Sequence, residues 1–593
     1  MNEQKEALFD VYVQDPQVAA QNPELAFHSL KLFLEPEIGD GPTSARFAVV
    51  DYNGDTQELA APATWDNQAT CFRKGRRKVD RNFTEKEKFQ FHQVQVWAWV
   101  HHALKFYEED ASLGRSIPWA FEGNRLILVP HAGLGQNAYY DRTSKSLQFY
   151  FYKDQEQEEK LVYTCLSADI VLHEFGHAIL DGIRPGFLQS FSLETAALHE
   201  FMGDLTAILM LLRNNDFRKI VAKEAEVDEI SALAILSNIA EEFGKTVMGK
   251  PYLRSANNQD TMNSAHIQDT TDPHILSTVL TGTCFEILIE LSKMYLKRPQ
   301  NANGTGELES ARSAFWNTIQ RAQRMFLQPL DLLPPVDARF KDYALAVLRN
   351  QEISDPLDPY GYREVMLEIF VRRGILSKED QTLLLEPHYQ FDLNQLNFQD
   401  FQPHYLWSVS KIDAYHFVNN NRKTFGIPFA KDFQITDLYT AQKVRRQHSK
   451  MPRQFVLEYV WQEEITLNGA EYGELEGLVL ALPCGGTLVV DEDDNLITWA
   501  FKPGTEFEDE KRPELLLHGQ QRKAAFLRNV QGFHTAGLIG QEPISSAAGI
   551  FAPSLNTLQL KELNGINQLV LAPSIDLSET KHQNEQKSWE ISF

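Results

Sequence analysis

The chain has 593 residues, of which 43% are hydrophobic and 23% charged, values typical of a folded protein that is too long for one ordinary hydrophobic core. Its formal net charge of -24 repels phosphate backbones and anionic lipid, which argues against nucleic acid and membrane surfaces as partners. Only 4 widely spaced cysteines are present, so we expect reduced thiols. Neither a signal peptide nor a membrane-spanning apolar run is seen in the sequence. We therefore expect a cytoplasmic protein, although non-classical export stays open.

The predicted elements divide the chain into four parts. Residues 1–25 are polar and are predicted to form an arm. Residues 26–182 contain short strands and a long helix that Thr84 can cap, and residues 183–384 are mainly amphipathic helices. Residues 385–593 form a β-rich region of unknown role, in which the segment DEDDN predicts a hairpin. The fold class predicted from this order is α+β.

One predicted helix carries the pattern His173-Glu174-Phe175-Gly176-His177. Residues i and i+4 of a helix lie on one face, so both imidazoles can reach one tetrahedral metal ion, and the glutamate can reach a water bound to it. Apolar residues surround the motif in the sequence, and buried polar groups need partners. The competing interpretation is a pair of structural histidines that are satisfied by hydrogen bonds.

A second predicted helix carries Glu200 and Asp204, again at positions i and i+4. A carboxylate from this helix completes a site of two histidines and one glutamate and leaves the fourth position open for water. Asp204 could orient one histidine through its far nitrogen. The alternative, a solvated helix face, is disfavoured because the neighbours of both residues are apolar. Zn²⁺ suits this ligand set best, and another divalent ion stays open.

At this point the sequence resembles the thermolysin-like zinc metallopeptidases, a gluzincin family with HExxH and a downstream glutamate. The resemblance runs from about residue 83 to about residue 373 and is carried by ADIVLHEFGHAILD and LHEFMGDL. It implies a two-lobed core, with a β-rich N-terminal lobe and a helical C-terminal lobe. It also implies that His173, His177 and Glu200 bind zinc, that Asp204 supports a ligand and that Glu174 acts on the attacking water.

Two further segments resemble substrate-binding parts of this family. Asn137 and Ala138 open a segment similar to the family's edge strand, which pairs with extended substrate backbone. Arg254, in the segment Leu-Arg-Ser, is similar to the arginine that binds a substrate carbonyl. From the residues alone, an ordinary hairpin strand and a surface arginine remain alternatives.

The resemblance also implies a second catalytic residue, His274, which follows an aspartate and a proline before a helix-like run. Its role would be to stabilise the oxyanion of the transition state. Asp269 or Asp272 could orient its ring. The alternative is a histidine without a role at the start of a helix.

The sequence departs from the family pattern in three respects. No tyrosine lies between His177 and Glu200, where the family has a second oxyanion donor, and Phe191 stands in its place by position. The acidic calcium-binding cluster and an obvious prosegment are also missing. Regulation would therefore differ, for example through a regulatory protein partner.

Three functions follow from these observations. An endopeptidase acting on protein or peptide substrates is favoured. An aminopeptidase would use the same ligands, but the Gly-x-Met-Glu-Asn segment typical of related aminopeptidases is missing. The third is a binding protein that contains metal but has impaired catalysis, which the missing tyrosine favours slightly and the presence of Glu174 disfavours.

Overall fold

A computed structural model describes the greater part of the chain, and it shows a mixed α+β protein. The described residues are 6–13, 27–35, 38–73, 84–154, 160–190, 192–215, 254–297, 311–385, 404–446, 449–507 and 512–535, with short pieces at 16, 218, 238–239, 539, 558–563 and 566–571.

Twelve α-helices lie within these described ranges, and the longest begin at side-chain caps or at proline. Thr84 forms a capping box with Glu87 at the start of the first helix, as predicted. The helices are α1 Glu85–Glu108, α2 Ala168–Ile183, α3 Leu193–Arg213, α4 Ala265–Gln268, α5 Pro273–Leu296, α6 Ala311–Leu327, α7 Phe340–Ser354, α8 Tyr362–Arg372, α9 Lys378–Leu385, α10 His404–Trp407, α11 Lys411–Asn420 and α12 Pro513–Thr535.

The two longest strands of the same ranges, with 13 residues each, lie in the C-terminal region. They are β1 Glu6–Tyr12, β2 Phe27–Phe33, β3 Phe47–Val49, β4 Tyr52–Asn53, β5 Glu58–Leu59, β6 Trp65–Asp66, β7 Cys71–Phe72, β8 Leu126–Val129, β9 Ala138–Asp141, β10 Ser146–Phe149, β11 Phe151–Lys153, β12 Leu161–Tyr163, β13 Asn238–Ile239, β14 Arg254–Ser255, β15 Phe433–Ala441, β16 Val444–Arg446, β17 Ser449–Lys450, β18 Gln454–Thr466, β19 Val479–Asp491, β20 Leu496–Lys502, β21 Leu558–Leu563 and β22 Ile566–Leu571.

The start of the chain differs from the predicted arm. Residues 6–12 form β1, which pairs antiparallel with β2 along its whole length. Ala7, Phe9 and Val11 alternate with more exposed residues and are buried in the main core. This two-residue period is the signature of a strand with one buried face, and the polar residues on either side of it obscured the pattern.

A four-stranded sheet of order β3-β8-β10-β9 lies beside the first core helices. Strand β8 is parallel to β3 and β10, whereas β9 is antiparallel to β10 and ends the sheet. Within the described ranges, no strand pairs with the other side of the edge strand β9, and β9 packs along α2.

The C-terminal region is a sheet with helices rather than strands alone. The sheet has the order β15-β18-β19-β22-β21, with β20 also paired to β19. The predicted DEDDN hairpin joins β19 to β20. Helix α12, which has 23 residues and buries Phe526 and Val530 one turn apart, was not predicted from the sequence. Two glycines inside α12 weaken its helical signal, and packing against the sheet compensates for them.

Two hydrophobic cores organise the described residues. The larger extends from β1 to the end of α8, and the smaller lies between the C-terminal sheet, α11 and α12. In β18 the neighbours Val456 and Leu457 face different cores, so both faces of this strand are covered. The predicted boundaries at residues 25, 182 and 384 stay a prediction.

Two helices are long and apolar enough to cross a membrane by composition alone, namely α3 and α5. Their most apolar windows are 89% and 72% buried inside the protein. Helices that carry the core of a folded protein show the same composition, so these windows are explained by packing. The cytoplasmic location stays a prediction.

A buried cluster of charges joins the helical part to the C-terminal sheet. Asp331 is fully buried and accepts from Arg115 Nη2 at 2.9 Å and from the Tyr439 hydroxyl at 3.0 Å, and its Oδ2 atom forms an ion pair with Lys443 Nζ at 2.8 Å. Burial alone would raise the pKa of Asp331, but the charges of Arg115 and Lys443 outweigh it and hold the pKa well below its usual range. The stability that this carboxylate contributes is therefore present above its unfolded-state pKa and is lost as the pH falls through the folded-state pKa.

Replacing Asp331 by asparagine is expected to lower the free energy of unfolding by about 3–5 kcal/mol, because Arg115 and Lys443 would remain buried without a counter-charge. Urea unfolding of the whole chain at neutral pH measures the change. Glu492→Gln is the matched control, since it breaks the exposed pair of Glu492 with Arg453 and should change the midpoint little. Equal midpoints for the wild type and Asp331→Asn would show that this cluster does not fasten the two regions.

Candidate metal centre

The two helices that carry the predicted ligands approach each other at glycines. A Cβ atom added to Gly176 would lie 2.7 Å from Thr206 Oγ1 and 2.8 Å from the Met202 carbonyl oxygen. A Cβ atom on Gly203 would lie 2.5 Å from His173 Nδ1. Contacts this short are not tolerated, so only glycine allows α2 and α3 to pack at this separation. The close approach brings the carboxylate of α3 to the histidines of α2.

The predicted ligand atoms converge on one point between these helices. The distance from His173 Nε2 to Glu200 Oε2 is 3.4 Å, and that from His177 Nε2 to Glu200 Oε1 is 3.7 Å. Ligands at about 2.0–2.2 Å from a tetrahedral zinc ion lie roughly 3.3–3.6 Å apart. The donor set and its spacing therefore fit Zn²⁺, with a fourth position left for water.

Asp204 supports the first histidine. Its Oδ1 atom lies 3.1 Å from His173 Nδ1, and its Oδ2 atom accepts from the Thr281 hydroxyl at 3.1 Å. A carboxylate at Nδ1 fixes the ring orientation and makes Nε2 the atom that can bind a metal. Thr281 belongs to α5, so a third helix helps to hold this orientation.

Glu174 lies between the histidines and the edge strand β9. Its Oε2 atom accepts a hydrogen bond from the Tyr140 backbone N–H at 3.1 Å, and the residue is only 4% exposed. The Tyr140 hydroxyl donates to Asp181 Oδ2 at 2.7 Å at the end of α2. Asn137 and Ala138 are buried at the start of this strand, where Asn137 Oδ1 accepts from the Ala138 N–H at 2.8 Å. The strand β9 and the helix α2 are thereby fixed to each other.

His274 enters the same centre from the first turn of α5. Its Nε2 atom lies 2.8 Å from Glu200 Oε2. Asp272 caps the helix by accepting from the His274 N–H at 2.8 Å, and its Oδ1 atom lies 3.5 Å from His274 Nδ1. Of the two predicted orienting residues, Asp272 makes this contact, whereas Asp269 is exposed at the C-terminal end of α4.

The charge states suit metal binding. Burial lowers the pKa of His177 to about 3, so its imidazole is neutral near pH 7. Burial would raise the pKa of Glu200, but the interaction with the neighbouring His274 imidazole outweighs it and holds the pKa well below its usual range. Neutral imidazole and ionised carboxylate are the forms that bind a metal ion.

Two predicted residues cannot be located by their side chains. Arg254 lies in β14, but its side chain falls outside the described part of the structure, as does Phe191. One residue of the centre was not predicted: His199, which precedes Glu200 in α3. It is 4% exposed, its ring centroid lies 5.9 Å from that of His177, and burial lowers its pKa to about 4. His199 could have been identified from the sequence, because it stands within an apolar helix directly before the predicted ligand Glu200.

Comparison with models of known protein families and with curated proteins finds no match. Among solved structures, the precursor of protealysin, a metalloproteinase from Serratia proteamaculans, is similar at 13% identity with a TM-score of 0.34. The match covers 56% of this chain and 89% of that one. A TM-score this low does not establish a common fold, so a functional assignment depends on the geometry of the centre.

Proposed function

We propose that the chain is a zinc-dependent metalloendopeptidase with a two-lobed, thermolysin-like core. The observation that supports this most is the convergence of His173, His177 and Glu200, with Glu174 beside them. A structural metal site has no need of an additional carboxylate next to the open position, whereas hydrolysis requires a base there.

Bound zinc would polarise the scissile carbonyl and lower the pKa of the attacking water. Glu174 takes the proton of that water and passes it to the leaving amine. The Tyr140 N–H holds one carboxylate oxygen of Glu174, so the side chain keeps its direction during the transfer. His274, which Asp272 orients, donates to the oxyanion that forms on the carbonyl oxygen.

Substrate backbone would lie along the uncovered side of β9. Extended peptides add to exposed sheet edges through main-chain hydrogen bonds. In this arrangement Asn137 and Ala138 face the peptide and Arg254 binds one of its carbonyl groups. The partners of the protein are then protein or peptide substrates, and a regulatory protein partner is also proposed.

The proposal is tested by measuring the zinc content of the purified chain together with its cleavage of a reduced and alkylated protein. About one zinc per catalytic centre, with cleavage that a chelator abolishes and zinc restores, is the expected result. Zinc at this centre without cleavage of any unfolded protein or peptide would favour the binding-protein alternative. Release of only N-terminal residues would favour an aminopeptidase.

Removing the support of His173 should weaken zinc binding. Asp204→Ala is expected to raise the zinc dissociation constant about 10–100-fold, because the imidazole loses the partner that fixes its orientation. Competition with a chromophoric chelator measures this constant. Asp169→Asn, a buried carboxylate at the start of α2 that contacts Ser167, is the control and should leave the constant unchanged. An unchanged constant in Asp204→Ala would remove Asp204 from the centre.

A further inference from the structure

A second group of metal-binding side chains lies outside the centre described above. His92 belongs to α1, His131 follows β8, and Cys165 lies in the 3-10 turn that leads into α2. Their exposed fractions are 6%, 2% and 0%. One donor atom of each residue lies within 4.8 Å of the others. Two imidazoles and a thiol that face each other in the interior form a ligand set that suits zinc.

The spacing of the two histidines is close to that of bound ligands. His92 Nδ1 lies 2.8 Å from His131 Nε2, a hydrogen bond in the metal-free arrangement. Ligands of a tetrahedral zinc ion lie roughly 3.3 Å apart, so a rearrangement of about half an ångström admits the ion. Side-chain rotation alone supplies a movement of this size.

His131 already has a supporting carboxylate, that of Asp51. Asp51 accepts from His131 Nδ1, with 2.8 Å to Oδ1 and 3.0 Å to Oδ2. Gln93 in turn donates to Asp51 Oδ2 at 2.7 Å. The proton of His131 is therefore on Nδ1, and the lone pair of Nε2 points toward His92 Nδ1. Zinc-binding histidines commonly donate the N–H that does not face the metal to a carboxylate in this way.

Aromatic rings pack against both histidines. The ring of Phe89 stacks on His131 with 4.2 Å between centroids, and the ring of Tyr163 meets His92 edge-on at 4.9 Å. Burial also holds the pKa of His92 well below its usual range, which keeps its imidazole neutral. The three side chains supply three of the four ligands of a tetrahedral zinc ion, and a water molecule would take the fourth position.

We propose that His92, His131 and Cys165 bind a second Zn²⁺ ion, which fastens α1 and the end of β8 to the turn before α2. On binding, the Cys165 thiol loses its proton to solvent and the sulfur forms the bond to zinc. The proton of His92 moves from Nδ1 to Nε2, so one proton is released for each ion bound. The ion stabilises the part of the fold that positions the catalytic helix, and it takes no part in hydrolysis.

Cobalt distinguishes this ion from the catalytic one because only the second site contains sulfur. The whole chain, stripped of metal and reconstituted with Co²⁺, should show a sulfur-to-cobalt charge-transfer band in the near ultraviolet. Zinc content should be two per chain in the wild type and one in His177→Ala, and the band should persist in that variant. Because the readout is spectroscopic, it is independent of peptidase activity.

The matched pair of variants is Cys165→Ser and Cys284→Ser, since both thiols are buried. The band should disappear in Cys165→Ser and stay unchanged in Cys284→Ser. A wild-type chain without the band, or a band that survives in Cys165→Ser, overturns the proposal and leaves a hydrogen-bonded chain of Asp51, His131 and His92. The wild-type spectrum decides the matter even if Cys165→Ser does not fold. A band without peptidase activity would leave this site standing while the proposed function fails.

Discussion

Replacement of Glu174 by glutamine is expected to lower kcat for peptide hydrolysis by about 10²–10⁴-fold while the zinc content stays that of the wild type. Glutamine has almost the same shape, and its carbonyl oxygen can still accept from the Tyr140 N–H, which Glu174 accepts at 3.1 Å. It cannot take a proton from water. The loss therefore reports on proton transfer alone, provided that the metal is retained.

The measurement combines initial rates on a fluorogenic peptide with metal analysis of the same preparation. Glu194→Gln is the matched control, because Glu194 Oε2 also accepts a backbone N–H, that of Phe340, at 3.1 Å, but lies in the first turn of α3. This control should retain wild-type rates. A Glu174→Gln variant that hydrolyses peptides at the wild-type rate would refute the assignment of Glu174 as the base.

The sequence predicts the parts of the centre that depend on local spacing. His173 and His177 share one face because the helical period places i and i+4 together, and the same holds for Glu200 and Asp204. Both helices were expected from their apolar periodicity, and α2 and α3 are found at 168–183 and 193–213. Thr84 was expected as a cap from its position before two glutamates. Such features need no knowledge of tertiary structure.

Contacts between distant segments could not be predicted in this way. His92, His131 and Cys165 come from three elements, and the first two are 39 positions apart, so no motif unites them. Their proximity results from the packing of α1 against the sheet and the turn before α2. The side of α5 that presents His274 also depends on tertiary packing, which explains why Asp272 and Asp269 could not be distinguished from sequence.

The glycines of α2 and α3 show how residues that have no metal-binding group can determine the geometry of the candidate metal centre. In the sequence, Gly176 appears as the variable position of a motif, and Gly203 as a weak point in a helix. In the structure both lie where the two helices touch. The helix separation that brings Glu200 to His173 therefore depends on these two positions.

Gly203→Ala is therefore expected to impair the centre although it changes no ligand. The added methyl group would lie 2.5 Å from Nδ1 and 2.6 Å from Cε1 of His173, so the ring or the helix must move. Movement of the ring breaks its 3.1 Å contact with Asp204 and displaces Nε2 from Glu200. We expect zinc affinity to fall at least about 10-fold and the free energy of unfolding to fall by about 1–3 kcal/mol.

Gly532→Ala provides the comparison, because an added Cβ atom there, inside α12, meets nothing within 4 Å. Alanine is favoured over glycine within a helix by about 1 kcal/mol, so this variant should be as stable as the wild type or more so, with unchanged zinc affinity. Chelator competition and urea unfolding measure both quantities. If Gly203→Ala bound zinc as tightly as Gly532→Ala, the close packing of α2 and α3 would not be what positions the ligands. If the two variants differ as expected, the close packing of the helices at Gly203 is required for tight zinc binding, as is expected for the carboxylate of Asp204.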